Sequence, residues 1–196
     1  TISQSGDLTF ATAPDYETNT SYSATVSVND GVTSISQNIS VEITDVDDVA
    51  PVITSSATFS AAENQTTIGT ATASDVDSTS ITFSISGSDL AVTSGGLISF
   101  VSAPDFETTP SFAAKLSATD GINSSSQSIT VNVTDVNEVP TFSSSASFSA
   151  DENQTSIGLV TAEDVDSSSL TFSISGTDLS ITSDGTLSFV VAPDYE

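Results

Sequence analysis

The sequence contains no cysteine, histidine, methionine or tryptophan, and only one lysine or arginine among its 196 residues. Without imidazole or thiol there is no histidine base, no thiolate nucleophile, no disulfide and no nitrogen- or sulfur-ligated zinc or copper site. The single base, Lys115, cannot neutralise a run of phosphates. That excludes nucleic acid as a partner, and electrostatic attraction to anionic lipid with it. No apolar run approaches the roughly 18 residues of a membrane span, and residue 1 does not open a signal peptide, so no membrane insertion is expected within 1–196. A secretion signal, if the protein has one, is expected outside these residues.

What is abundant is acid. There are 26 Asp and Glu and a formal net charge of −25, so cations are the natural partners. Oxygen-ligated hard cations are the metal chemistry that remains open. The hydrophobic fraction of 36% is below the roughly 45–50% of average globular domains, a direction that usually warns of disorder. Most of the polar residues are Ser and Thr rather than charges, however, ten Phe are available for cores, and mean hydropathy is slightly positive at +0.10. The apolar residues are also patterned.

The pattern is a repeat. Pro-Asp-aromatic-Glu occurs at 14–17, 104–107 and 193–196, at spacings of 90 and 89. Glu-Asn-Gln-Thr at 63–66, Asp-Val-Asp-Ser at 75–78 and Phe-Ser-Ile-Ser-Gly at 83–87 each return 89 residues later. Asp-Gly at 30–31 and Thr-Asp-Val at 44–46 return after 90, the extra residue being Ala50 in the linker. This phase predicts the C-terminal half of a repeat over 1–50, a complete repeat over 51–140 and the N-terminal half of a further one over 141–196. Half of such a unit cannot bury its own apolar face. Two origins follow: a stretch of a longer tandem array, or a subunit whose half-domains complete one another between chains.

Each repeat reads as β. Ile39, Val41 and Ile43, then Ile81, Phe83 and Ile85, then Ile129, Val131 and Val133 alternate with polar residues, the period of a half-buried strand. No segment shows a 3.6-residue period. Short strands, Gly/Asp/Ser turns and about 90 residues per unit predict an all-β fold of tandem seven-stranded Greek-key sandwiches of immunoglobulin type. The expected core is Phe83, Ile85, Leu97, Phe100, Phe112, Leu116, Ile129, Val131 and Val133.

Nineteen of the 26 acids fall in the recurring motifs. Gathering carboxylates raises their pKa values and opposes folding unless a cation intervenes. Calcium suits the spacing, because it takes six to eight oxygens in loose geometry and Asp-x-Asp sets two carboxylates on one side of an extended segment. Magnesium, which keeps its waters, suits it less. A glycosidase pair such as Asp105 with Glu107 lacks accompanying substrate-binding aromatics, and no catalytic function is expected. The Asn-x-Ser/Thr triplets are those a Ser/Thr-rich chain contains by chance.

The order Glu-Asn (63–64), Asp-x-Asp (75–77), Pro-Asp-Phe-Glu (104–107), Ala-Thr-Asp-Gly (118–121) and Asp-Val-Asn-Glu-Val-Pro (135–140) closely resembles the cadherin repeat, whose pattern runs ENx, DxD, LDRE, ATDxG and DxNDNAPxF. The resemblance extends over the whole chain and implies calcium (Ca2+) held between consecutive repeats. Carried over, a first junction draws on Asp15 and Glu17, on Asp45, Asp47 and Asp48 of the linker, and on Asp75, Asp77 and Asp120. A second draws on Glu63, Asp105, Glu107, Asp135, Asn137, Glu138, Asp164 and Asp166. Val49 and Val139 replace the second linker Asn, and Glu138 replaces an Asp. Tyr16, Phe106 or Tyr195 stands where cadherins carry Arg, as in looser cadherin-like repeats of microbial surface proteins. Without Trp, the tryptophan strand exchange of animal cadherins is not implied. The resemblance thus implies an extracellular or cell-surface structural module, a calcium-stiffened stalk or filament in adhesion or matrix whose partners are neighbouring repeats. The alternatives are a module binding a cell-surface glycan with calcium only structural, and a filament subunit joined to other copies by half-domain complementation.

Overall fold

A computed structural model describes residues 1–196, and it is built from strands alone. Two compact units divide it, Thr1–Thr134 and Asp135–Glu196. No helix is long and apolar enough to cross a membrane.

The first unit opens with a hairpin, β1 (Ser21–Asn29) and β2 (Ser34–Glu42), paired antiparallel from Ser21↔Glu42 to Asn29↔Ser34. It continues through β3 (Val52–Ile53), β4 (Thr58–Ala62), β5 (Thr67–Thr70), β6 (Ala73–Ser74), β7 (Thr82–Ile85), β8 (Leu90–Val92), β9 (Leu97–Phe100), β10 (Ser111–Thr119) and β11 (Ser124–Thr134). These segments fill seven strand positions, since the first and second strands are each broken in two. β3 pairs with β6, whereas β4 crosses over to run parallel to β11. β5 and β6 are joined through Ala71 and Thr72, whose backbones bond Gly96 and Thr54. One sheet has the order β4-β11-β10-β7 and the facing sheet β5-β9-β8, so the expected Greek-key sandwich is present within the first unit, in β3 to β11.

Strand alternation sets the core. Val131, Val133, Ala61, Leu90 and Phe100 meet at one end of the sandwich, and Ala71, Ile98, Leu116 and Ile129 at the other. Ile98, Leu116 and Val131 are 0% exposed, and each such side chain contributes roughly 1.5–3 kcal/mol by leaving water. Phe100 meets Phe112 edge to face at 5.2 Å. One expected core residue is corrected: Leu97 is 48% exposed, and Ile98 takes the inward position. Side chains in a strand alternate, so with Phe100 inward its partner two residues back must be Ile98. Gly96, just before this strand, has φ +92°, and a Cβ there would lie 2.4 Å from the Ala71 carbonyl oxygen. Glycine is what permits Ala71 N–H to donate to the Gly96 carbonyl at 2.8 Å.

The second unit holds β12 (Thr141–Phe142), β13 (Ser156–Leu159), β14 (Ala162–Glu163), β15 (Leu179–Ile181) and β16 (Thr186–Phe189). Its sheet order β13-β16-β15 repeats β5-β9-β8 at an offset of 89, down to the bulge at Gly158 that matches the one at Gly69. The counterparts of β4 and β7, residues 147–151 and 171–174, form no strands. In the first unit those two strands pair with β11 and β10, and residues 135–196 include no counterpart of either.

Candidate metal centre

The motif acids are placed by the turns they build. Asp, unlike Glu, reaches back to backbone N–H groups two and three residues ahead, closing an Asx-turn with one carboxylate oxygen and leaving the other to point elsewhere. In the first unit Asp75 Oδ1 accepts from Asp77 N (3.1 Å) and Ser78 N (3.2 Å), and Asp120 Oδ1 from Ile122 N and Asn123 N, both at 2.6 Å. Asp77 reaches further along the chain: its Oδ2 accepts from Asp48 N and Val49 N of the linker, each at 3.0 Å. The remaining oxygens, Asp75 Oδ2, Asp77 Oδ1 and Asp120 Oδ2, are buried and have no hydrogen-bond partner.

Asp47 joins this group from the linker. The Asn123 amide donates to the Asp47 carboxylate at 3.1 Å and to its carbonyl at 3.3 Å, pinning the linker to the turn that follows β10. Partial burial, then the charge of Asp120, raises the Asp47 carboxyl above its ordinary value; Asp77 and Asp75 add to this, against the opposing Asn123 bond. The Asp77 carboxylate beside it raises the Asp75 carboxyl above its ordinary value, and the proximity of Asp75 lowers that of Asp77. Such opposite shifts are what two carboxylates at close quarters impose on one another in the absence of a cation.

Other first-junction candidates gather separately. Asp15 Oδ1 accepts from Glu17 N at 3.1 Å and Thr18 N at 3.3 Å, and the Thr18 hydroxyl, donating at 2.9 Å, is the main reason its carboxyl is lowered. Glu17 is pulled down by its own backbone N–H yet raised on balance by desolvation, Asp15 and Asp45. Asp48 is exposed and contributes its backbone N–H to Asp77.

Residues expected at the second junction divide between the two units. Within the first, Glu63 is 4% exposed and its Oε2 accepts from Phe106 N at 2.9 Å. Its carboxylate lies within 4.8 Å of that of Glu107, while Asp105 caps its own turn through Thr108 N at 3.0 Å. Within the second, Asp164 Oδ1 accepts from Asp166 N and Ser167 N, both at 2.9 Å, and Asp166 Oδ2 from Glu138 N at 2.6 Å. Asp166 Oδ1 is buried without a partner, and a carboxylate oxygen of Asp166 lies within 4.8 Å of one of Asp135. Asn137 donates its amide to the Glu138 carbonyl at 2.5 Å. The construction around Asp75 and Asp77 thus recurs 89 residues on.

These groups fit a hard cation. The donors are all oxygen, several are buried with nothing to bond, and buried charge of one sign is unfavourable without a counter-ion. At the first junction no three carboxylates lie within 4.8 Å of one another, so an ion there would have to draw them inward.

Sequence reasoning missed two things. Asn123 was an unremarkable triplet, although its place three residues after Asp120, in the turn facing the linker, was a usable signal. Asn64 and Asn153 adopt φ of 60° and 58°, so the Glu-Asn motif needs its asparagine for a left-handed turn that few other residues tolerate.

No protein-family profile and no curated protein matches the chain. Solved structures do. Repeats EC22–24 of mouse cadherin-23 match at a TM-score of 0.59 and 27% identity, over 93% of this chain and 67% of that one. The protocadherin gammaB4 extracellular domain matches at 0.62 and 23% over 99% of this chain, which spans 36% of its length. Repeats EC1–3 of mouse protocadherin-24 match at 0.64 and 19%, over 94% and 70%. The chain has the cadherin-like β-sandwich fold.

Proposed function

We propose that the chain is a structural repeat module of an extracellular adhesive or matrix protein, in which calcium stiffens the linkers between repeats read as 1–50, 51–140 and 141–196. The observation that carries this is the set of buried, partnerless carboxylate oxygens on Asp75, Asp77 and Asp120, with Asp47 held beside them by Asn123. Calcium supplies positive charge and a flexible shell of six to eight oxygens.

The protein's own residues do the rest. The Asx-turns hold one oxygen of Asp75 and one of Asp120 in place, so little conformational entropy is lost when the other binds. Asp77 ties the linker amides of Asp48 and Val49 to the β6–β7 turn, and Asn123 ties Asp47 to the β10–β11 turn. Without an ion, the repulsion among the four acids opposes both clamps; with one, it is offset and the linker is fixed. The role is mechanical rather than catalytic, which agrees with the absence of histidine and cysteine. Small-angle scattering of the chain with calcium and with EGTA tests the stiffening. A longer, less variable particle in calcium is expected, and superimposable profiles would refute it.

A further inference from the structure

A hollow of about 330 Å³ opens in the first unit between the turn joining β7 to β8 and the loop joining β9 to β10, lined among others by Asp89, Val101, Ser102, Pro104, Asp105 and Phe112. Its size is at the lower end of pockets that hold small ligands. The strands flanking both loops belong to the two sheets of the sandwich, and Val101 N–H donates to the Asp89 carbonyl at 2.9 Å, which ties one loop to the other. Phe112 is held edge to face by Phe100 at 5.2 Å. The hollow is therefore built into the folded sandwich.

Its two acids are not spent as those of the metal centre are. The Asp89 carboxylate accepts from no backbone N–H, and its one bond comes from the Ser88 hydroxyl at 3.4 Å. The construction returns 89 residues later: the Asp178 carboxylate accepts only from the Thr177 hydroxyl at 3.3 Å, and Val190 N–H donates to the Asp178 carbonyl at 2.9 Å. This Asp therefore recurs without closing an Asx-turn, the ordinary use of such a residue in a loop, and it lies outside the junction motifs. Asp105 gives one oxygen to Thr108 N at 3.0 Å and keeps the other open. The matching Asp15 has its second oxygen taken by the Thr18 hydroxyl at 2.9 Å.

The lining decides the class of ligand. Two carboxylates in a chain of net charge −25 repel an anion. A bare metal ion is poorly served, since neither Asp89 nor Asp105 belongs to a group of three acidic side chains whose oxygens lie within 4.8 Å of one another. A stacked sugar ring needs an exposed aromatic face, and Phe112 is half-buried against Phe100. What fits is an ammonium on an apolar stem, its charge set against Asp89 and Asp105 and its methylenes laid along Val101, Pro104 and Phe112. We infer that the hollow receives a lysine side chain presented by a basic segment of a partner protein. The field of the acidic chain draws such a segment in, and Val101, 59% exposed, leaves water when the stem covers it.

Amide chemical-shift titration of the isotope-labelled full chain tests the inference, with a short peptide that has blocked termini and one lysine as the probe. Millimolar calcium and physiological salt are present throughout, so that the other acids are occupied or screened. The amides of Ser88, Asp89, Val101, Ser102 and Thr108 are expected to shift together and to saturate. Acetylating the lysine keeps the stem and removes the charge, and is expected to weaken binding about threefold or more. Asp89→Asn is expected to do the same while leaving the amide spectrum beyond the hollow unchanged, which shows that the variant folds. Shifts spread over the acidic turns instead of the hollow, an acetylated peptide that binds as well as the free one, or an Asp89→Asn chain that binds like wild type would each overturn the inference. So would a methyl glycoside that moves the same amides at lower concentration than the peptide, since the occupant would then be a saccharide.

Discussion

Ile98 and Leu97 are adjacent on β9 and nearly equal in size, yet they face opposite ways, so truncating each to alanine measures the register of the sandwich directly. Ile98 is 0% exposed and packs with Ala71, Leu116 and Ile129. Removing its side chain leaves a cavity between the sheets, a loss of about 2–5 kcal/mol for buried Ile→Ala. Leu97 is 48% exposed, and its truncation belongs with surface changes of within about 0.5 kcal/mol. A domain of this size has a total stability of roughly 5–15 kcal/mol, so Ile98→Ala removes a large share. At about 4–8 °C per kcal/mol, a loss of 3 kcal/mol lowers the unfolding temperature by roughly 12–24 °C. The three tyrosines lie at 16, 22 and 195, outside β3 to β11, so intrinsic fluorescence would not follow this core. Differential scanning calorimetry, with far-ultraviolet circular dichroism alongside, reads it. Equal losses at the two positions, or a larger loss for Leu97→Ala, would refute the assigned register.

Three further outcomes follow from the geometry. Asn123→Ala removes the amide that holds Asp47, and calcium affinity should fall by roughly 10- to 100-fold with the circular dichroism spectrum unchanged, the usual size of an effect on a group that orients a ligand. Gly96→Ala places a Cβ 2.4 Å from the Ala71 carbonyl at φ +92° and should destabilise the first unit by more than about 2 kcal/mol in urea unfolding. Gly6→Ala has a similar φ of +89° but nothing within 4 Å, and should cost about half as much or less. Asp75→Asn should raise the unfolding temperature in EGTA, because it removes a negative charge held against Asp77, and lower it relative to wild type in millimolar calcium, because an acidic ligand is lost.

The fold was legible because its periods are plain. Alternation at Ile129, Val131 and Val133 reports one buried face, and motifs returning at 90 and 89 residues report the unit that contains it. Leu97 misled because Gly-Leu-Ile-Ser-Phe offers two adjacent aliphatics, and a lone strand does not say which faces inward. The repeat itself held the answer: the counterparts of Leu97 are Asp7 and Thr186, whereas those of Ile98 are Leu8 and Leu187. Of the candidate centre, the motifs marked Asp47, Asp75, Asp77 and Asp120. They did not reveal that Asp77 accepts from the linker amides of Asp48 and Val49, nor that Asn123 joins the linker to the turn after β10. Those depend on contacts 29 and 76 residues apart in the chain, which no local pattern encodes.

Isothermal titration of the 196-residue chain with calcium, repeated on the Asp47→Ala, Asp75→Ala double variant, tests the proposed function most directly. Binding at about 10⁻⁴–10⁻³ M, the range of extracellular modules, is expected for the wild-type chain, with a weaker or absent response to magnesium. The double variant should lose at least one equivalent of bound calcium while keeping its β-sheet spectrum. A wild-type chain that binds no calcium at millimolar concentration, or a double variant that binds as the wild type does, would contradict the assignment of these carboxylates to a calcium junction.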